Sequence, residues 1–320
     1  MKKTDKHKSE YGFKSEENKI FPPMVFAEIT NVCNLKCIHC PYPQISQKES
    51  YKPLYMDFNI YKKIVDEVSG FKSVILRLVC DGEPMLHPDF LKMIIYAKRK
   101  KISPLCFNTN GTLLDEQASR EILHHGVDAV EISLDALSKD TYEYIRNGAS
   151  FDQVMSNVHR FIRLRNELNS KTKIMVSIID QPEASHEIKE FVSYWAHKVD
   201  RVITRAYTSI EGLVDPDKMK TTNNRDRWPC PLLWTRAFVN VGGLIKFCVE
   251  DWFDETVIGD IRYETLRYVW SSDKYQRLRD HHLSNAFDKI QHCTSCVDWP
   301  ARQWHYDYFY ALNKVLKTSR

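Results

Sequence analysis

From Met24 to Ser209 one pattern recurs: a short apolar, β-branched run, then a longer segment with apolar residues at helical spacing. The runs are MVFAEIT (24–30), SVILRLV (73–79), PLCFNTNG (104–111), DAVEISLD (128–135), KIMVSII (173–179) and RVITRAYTS (201–209). Helical spacing falls at 56–70, 87–101, around DEQASREILHHG, over 138–168 with a break near Asn147-Gly148, and at 185–198. Six strands alternating with helices predict an α/β fold whose parallel sheet is joined by crossover helices. Ligands of such sheets sit beyond the carboxyl ends of the strands, so chemistry is expected in the loops that follow them.

The first such loop is CNLKCIHC (33–40), which spaces Cys33, Cys37 and Cys40 by three residues and then two. The lysine-rich start has no apolar stretch behind it, and no run of eighteen apolar residues occurs. Neither a signal peptide nor a membrane helix is therefore expected, and the cytoplasm is the expected compartment. There, nine cysteines read as metal ligands or catalytic thiols rather than disulfides. A net charge of +4 over 320 residues, with no clustered basic face, argues against nucleic acid as a partner. Three soft thiolates can hold three corners of a [4Fe–4S] cube and leave the fourth iron open. The plainer alternative is a zinc site with a distant fourth ligand.

The motifs after the cysteine loop resemble those of the radical SAM superfamily over residues 24–209. The resemblance implies a partial (β/α)6 barrel and an open iron that binds S-adenosylmethionine. DGEPMLHP (81–88) is similar to the family's Gly-Glu-Pro loop, which makes Glu83 the acceptor for the methionyl amino group. This chain has Asp81-Gly82 where the commoner form has two glycines. By the same resemblance Asn110 of NTNG lies near the cofactor, and Ser133 and Arg146 contact its ribose and carboxylate. Ile178 matches the apolar adenine contact of the fifth strand, and the backbone of His39 touches the adenine.

After a polar, turn-rich stretch at 212–229, the alternation stops and four late cysteines appear. AFVNVGGLIKFC (237–248) reads as a hairpin, and 264–282 as one amphipathic helix or two short ones. Cys230, Gly243, Cys248, Cys293 and Cys296 have the spacing of a truncated, twitch-type SPASM extension, similar to that of radical aminocyclitol dehydrogenases. That resemblance implies one auxiliary [4Fe–4S] cluster; separated cysteine pairs are also how a zinc ribbon is built. The expected organisation is a mobile tail at 1–20, a radical SAM core at 21–211, a linker at 212–229 and an auxiliary-cluster domain at 230–320.

The implied chemistry is hydrogen abstraction by a 5′-deoxyadenosyl radical, with a flavodoxin or ferredoxin as electron donor. The leading expectation is oxidation of a carbinol in a small sugar or aminocyclitol-like polyol. The alternatives are epimerisation with a thiol hydrogen donor, peptide or protein maturation, and a non-catalytic metal-stapled binding protein. Thirty-two residues precede Cys33, too few for a peptide-recognition domain, which counts against maturation. Arg205, Asp251 and Cys80 are the catalytic candidates: the first on the sixth strand, the second close behind Cys248, the third at a strand's carboxyl end.

Overall fold

The structure is a computed structural model describing residues 11–79, 81–220, 226–304 and 308–317. Six strands alternate with helices: β1 (Met24–Ala27), α1 (Phe58–Val68), β2 (Ile75–Leu78), α2 (Phe90–Arg99), β3 (Leu105–Thr109), α3 (Glu116–His124) and β4 (Ala129–Ser133). Then come α4 (Lys139–Ile145), α5 (Phe151–Glu167), β5 (Lys173–Asp180), α6 (Ile188–Trp195) and β6 (Arg201–Ala206). The strands lie in chain order and every neighbouring pair is parallel, the expected α/β arrangement.

Strand alternation divides the apolar residues between two faces. Val25, Leu76, Val130, Ile132 and Val176 face outward and pack with Ile64, Ile94, Val158, Phe161 and Trp195 of the helices. On the concave face Met24, Ile75, Cys106, Ala129 and Met175 form a smaller cluster with Leu312 and Val315 of the helix Tyr308–Lys317. Most of these residues lie early in their strands, so this helix fills the amino-terminal end of the concavity. The carboxyl end is left to polar groups.

The helical stretch 138–168 is broken where expected: α4 ends at Ile145, and Gly148 takes φ +96 before α5 begins. The stretch 264–282 is two helices, Leu266–Ser271 and Asp273–Leu283, joined at an extended Ser272 whose hydroxyl caps the second.

Two features differ from the sequence expectation. The hairpin strands β7 (Ala237–Val239) and β8 (Leu244–Lys246), with a further strand β9 (Val257–Asp260), join the main sheet, because β7 pairs parallel with β1. This satisfies the backbone groups on the edge of β1, which an open barrel would otherwise expose. Residues 11–20, expected to be mobile, are packed. Tyr11 lies against Trp304, Phe13 against Trp270, and Trp270 Nε1 donates to the Asn18 carbonyl at 2.8 Å. The buried Arg279 guanidinium lies over the rings of Phe13, Trp270 and Tyr275, so two aromatic residues in a polar segment find a docking surface.

The loop after β2 rests directly on the chain leaving β1. Glu83 N–H donates to the Val32 carbonyl at 2.8 Å, and a Cβ on Gly82 would stand 2.5 Å from Thr30 O and 2.6 Å from Val32 O. Gly82→Ala is expected to cost about 1–3 kcal/mol through this backbone clash. Anaerobic thermal unfolding measures it; an unchanged midpoint would mean that the loop can retreat from β1.

Candidate active site and metal centres

The segment carrying Cys33, Cys37 and Cys40 leaves β1 without regular structure and is positioned by the turn after α4. Lys36 N–H donates to the Asn147 carbonyl at 2.8 Å and Ile38 N–H to the Ile145 carbonyl at 3.0 Å. Arg146, within that turn, places Nη1 3.7 Å from Cys37 Sγ and gives Nη2 to the carboxylate of Asp135. Asp135 in turn accepts the Ile179 N–H at 2.8 Å and has a left-handed backbone, φ +63. The cysteine loop, β4 and β5 are thus joined through one Asp–Arg–thiol chain. The sequence assigns Asp135 no role, although it closes the run DAVEISLD.

Burial pushes all three thiols up, Cys33 to about 11, and the Arg146 charge opposes this at Cys33 and Cys37. Desolvated sulfurs beside a fixed cation suit thiolate–metal bonding, where the metal replaces the protons. Glu83 is 3% exposed and accepts from Asn110 N–H at 2.7 Å and Met85 N–H at 3.2 Å. Burial nonetheless raises it to about 7. Burial outweighs these donors and the nearby Arg146 charge, and a carboxylate so placed can still accept from an amino ligand. Asn110 reaches back to Asn34 in the cysteine loop at 2.8 Å, so both motifs form one surface.

Ser133 ends β4, half-buried and in register with Ser177 of β5. His39 is half-buried, with Nε2 3.6 Å from Asp135, and desolvation of its ring lowers its pKa to about 4. Two expectations change. Ile178 is fully buried in the helix-facing core, so the concave position on β5 belongs to Ile179. Asp251 accepts from Phe253 N–H, Glu255 N–H and both Thr256 donors at 2.7–3.1 Å; it closes its own loop and has no spare capacity for a proton. Its pKa is lowered: burial works upward, but the Thr256 hydrogen bonds and Lys246 prevail. Cys80 lies outside the described residues. Arg205 pairs with the fully buried Glu131, which also binds Arg77 at 3.0 Å, on the concave face.

The late cysteines converge. Cys230, Cys248, Cys293 and Cys296 line one cavity with Glu211 and His292. Burial raises the thiols of Cys248, Cys293 and Cys296, and the neighbouring cysteines raise each further. Three residues absent from the sequence reading hold this site. His282 Nδ1 accepts the Cys230 N–H at 3.1 Å, Arg227 Nη1 donates to the Cys293 carbonyl at 2.7 Å, and Asp298 binds Ser209 N–H and Glu211 N–H at 2.6 and 2.7 Å.

A tetrahedral zinc with Zn–S of about 2.3 Å draws its sulfurs to about 3.8 Å. Among the described residues, the one set of three ligand atoms within 4.8 Å is Glu211, Cys248 and His292. Among the described residues, no three cysteine sulfurs of either set lie within 4.8 Å of one another.

The radical SAM superfamily profile matches residues 27–192, and an iron–sulfur cluster-binding domain, SPASM, matches 230–297. The chain belongs to the radical SAM superfamily and carries a SPASM domain. Its cofactors are S-adenosylmethionine, a [4Fe–4S] cluster and auxiliary iron–sulfur. It is 29% identical over 137 residues, 43% of this chain and 33% of the relative, to Fe-coproporphyrin III synthase of Methanosarcina barkeri. The chain spans half or less of the length of the curated relatives it matches, 31–50%. Its fold is similar to BtrN in complex with AdoMet and 2-DOIA: TM-score 0.60, 18% identity, covering 89% of this chain and 96% of that one. It is also similar to Streptococcus suis SuiB bound to precursor peptide SuiA: TM-score 0.67, 16% identity, covering 97% and 76%. Among the described residues no helix is long and apolar enough to cross a membrane.

Glu83 generates a pH prediction. With its carboxyl raised to about 7, ligand binding that prefers the carboxylate releases a proton below that pH. S-adenosylmethionine affinity of the cluster-loaded protein should weaken roughly tenfold from pH 8 to pH 6, and Glu83→Gln should flatten the profile. Calorimetry at several pH values measures this; a wild-type profile as flat as the variant's would remove Glu83 from the amino-group contact.

Proposed function

We propose that the protein oxidises a carbinol carbon of a sugar or aminocyclitol-like polyol to a ketone, with one auxiliary [4Fe–4S] cluster as electron acceptor. The observation that carries this reading is the convergence of Cys230, Cys248, Cys293 and Cys296 on one cavity. Four ligands close a cube and leave no iron for substrate, which suits electron transfer rather than binding. The ligand spacing and two-part architecture resemble 2-deoxy-scyllo-inosamine dehydrogenase, and the similar fold of BtrN was seen with 2-DOIA bound.

When bound, the clusters and S-adenosylmethionine supply a 5′-deoxyadenosyl radical and an electron acceptor, so that a secondary alcohol loses a hydrogen atom, a proton and an electron. Cys33, Cys37 and Cys40 would ligate the first cluster, and Arg146 fixes the loop through Cys37. Glu83, Asn110, Ser133 and Arg146 would orient the cofactor, and Ile179 and the His39 backbone would contact its adenine. Arg205, anchored on Glu131, faces the concavity and is the proposed hydroxyl anchor of the substrate. The helix Tyr308–Lys317 closes the opposite end of the concavity and keeps water from entering there.

The test supplies flavodoxin or ferredoxin as donor and screens sugars and aminocyclitols for 5′-deoxyadenosine together with a product lighter by two hydrogens. Cys293→Ala/Cys296→Ala should retain 5′-deoxyadenosine formation and lose ketone by roughly tenfold or more. A product of unchanged mass carrying one solvent hydrogen would replace oxidation by epimerisation.

A further inference from the structure

A second cavity lies beside the cysteine loop, toward the β7–β8 hairpin, and takes no part in the sites above. Glu28, Asp81, Lys246, Trp252, Asp254 and Arg262 are among its walls. It is at the ligand end of the sheet. Glu28 directly follows β1, Asp81 stands between β2 and the Gly82-Glu83 step, and Val241 lies just beyond β7, which runs parallel to β1.

Its polar groups do not balance. Glu28, Asp81 and Asp254 bring three carboxylates against the single ammonium of Lys246. Arg262 is engaged outside the set, by Asp260 at 2.6–3.0 Å. Lys246 donates to the Asp251 carbonyl at 2.6 Å and stands 3.3 Å from Asp254. Glu28 is 4% exposed; its Oε2 accepts the Val241 N–H at 3.0 Å, Oε1 meets no N–H or hydroxyl donor, and the carboxyl shares a side-chain hydrogen bond with that of Asp81, so the two acids face each other across one proton. Burial raises both Glu28 and Asp81, and Glu28 raises Asp81 further against the pull of Lys246. The cavity is short of two things: hydrogen-bond donors and positive charge. Water supplies the first without the second. A primary ammonium supplies both, with three donors and no acceptor.

We propose that this cavity binds the primary ammonium group of an alkylamine ligand, held by the carboxylates of Glu28 and Asp81 with Asp254 at the rim. An ammonium seated there would anchor a substrate alongside the cysteine loop. The amine can come from an amino polyol, which deepens the oxidation reading, or from a lysyl side chain. Binding is measured without turnover, so failure here is distinct from failure of the oxidation reading.

The experiment uses cluster-loaded protein with S-adenosylmethionine and calorimetry at pH 7. One arm compares glucosamine with glucose, the other Nα-acetyl-lysinamide with its norleucine counterpart. At least one amine should bind roughly tenfold or more tightly than its neutral partner, and the arm that responds identifies the source. Asp81→Asn and Glu28→Gln should each abolish that preference with iron content unchanged. Asp254→Asn, at a residue with a 42% exposed side chain, should weaken it and remains informative if a buried variant misfolds. No preference for either amine, or a preference that survives these substitutions, overturns the proposal.

Discussion

Everything in this protein depends on how an irregular loop bearing three thiols is held still at the mouth of a parallel sheet. Loops lack the internal hydrogen bonds that fix helices and strands, so their geometry must come from neighbours. Here two backbone hydrogen bonds from Lys36 and Ile38 dock the loop on the turn at 145–147. Arg146 then reaches from that turn to Cys37 and Asp135. The same guanidinium therefore positions a sulfur and places positive charge beside thiols that burial has stripped of water. Removing it would leave Asp135, at 1% exposure, as a buried and poorly matched carboxylate.

The two metal centres are joined by the sheet itself. The first three cysteines follow β1, and β7, paired parallel with β1, opens the hairpin that ends at Cys248. Asp298, two residues past Cys296, grips Ser209 and Glu211 in the loop after β6. The late cysteines are thereby tied to both edges of the six-stranded core.

Much of this was legible in the sequence because periodicity and spacing are local. Six strands, their crossovers, the break at Gly148 and both cysteine sets could be read from residues alone. Parity was harder. Ile178 and Ile179 are adjacent and chemically identical, yet a one-residue shift moves a strand side chain to the opposite face, and only pairing with β4 settles which is concave. Asp251 drew attention by its closeness to Cys248, whereas its oxygens are taken up by the loop that follows it. Asp135, His282 and Arg227 act through partners at least eleven residues away, and no local pattern marks them. The union of β7 with β1 is likewise a contact between distant segments.

The two cysteine sets are expected to hold two independent four-iron clusters. Iron, sulfide and zinc per chain in anaerobically reconstituted protein test it most directly, beside a Cys33→Ala/Cys37→Ala/Cys40→Ala variant. Two clusters would give about eight irons, falling to about four in the variant, with no zinc. About four irons with one zinc, and the iron lost in the variant, would contradict it and make the late cysteines a structural zinc site.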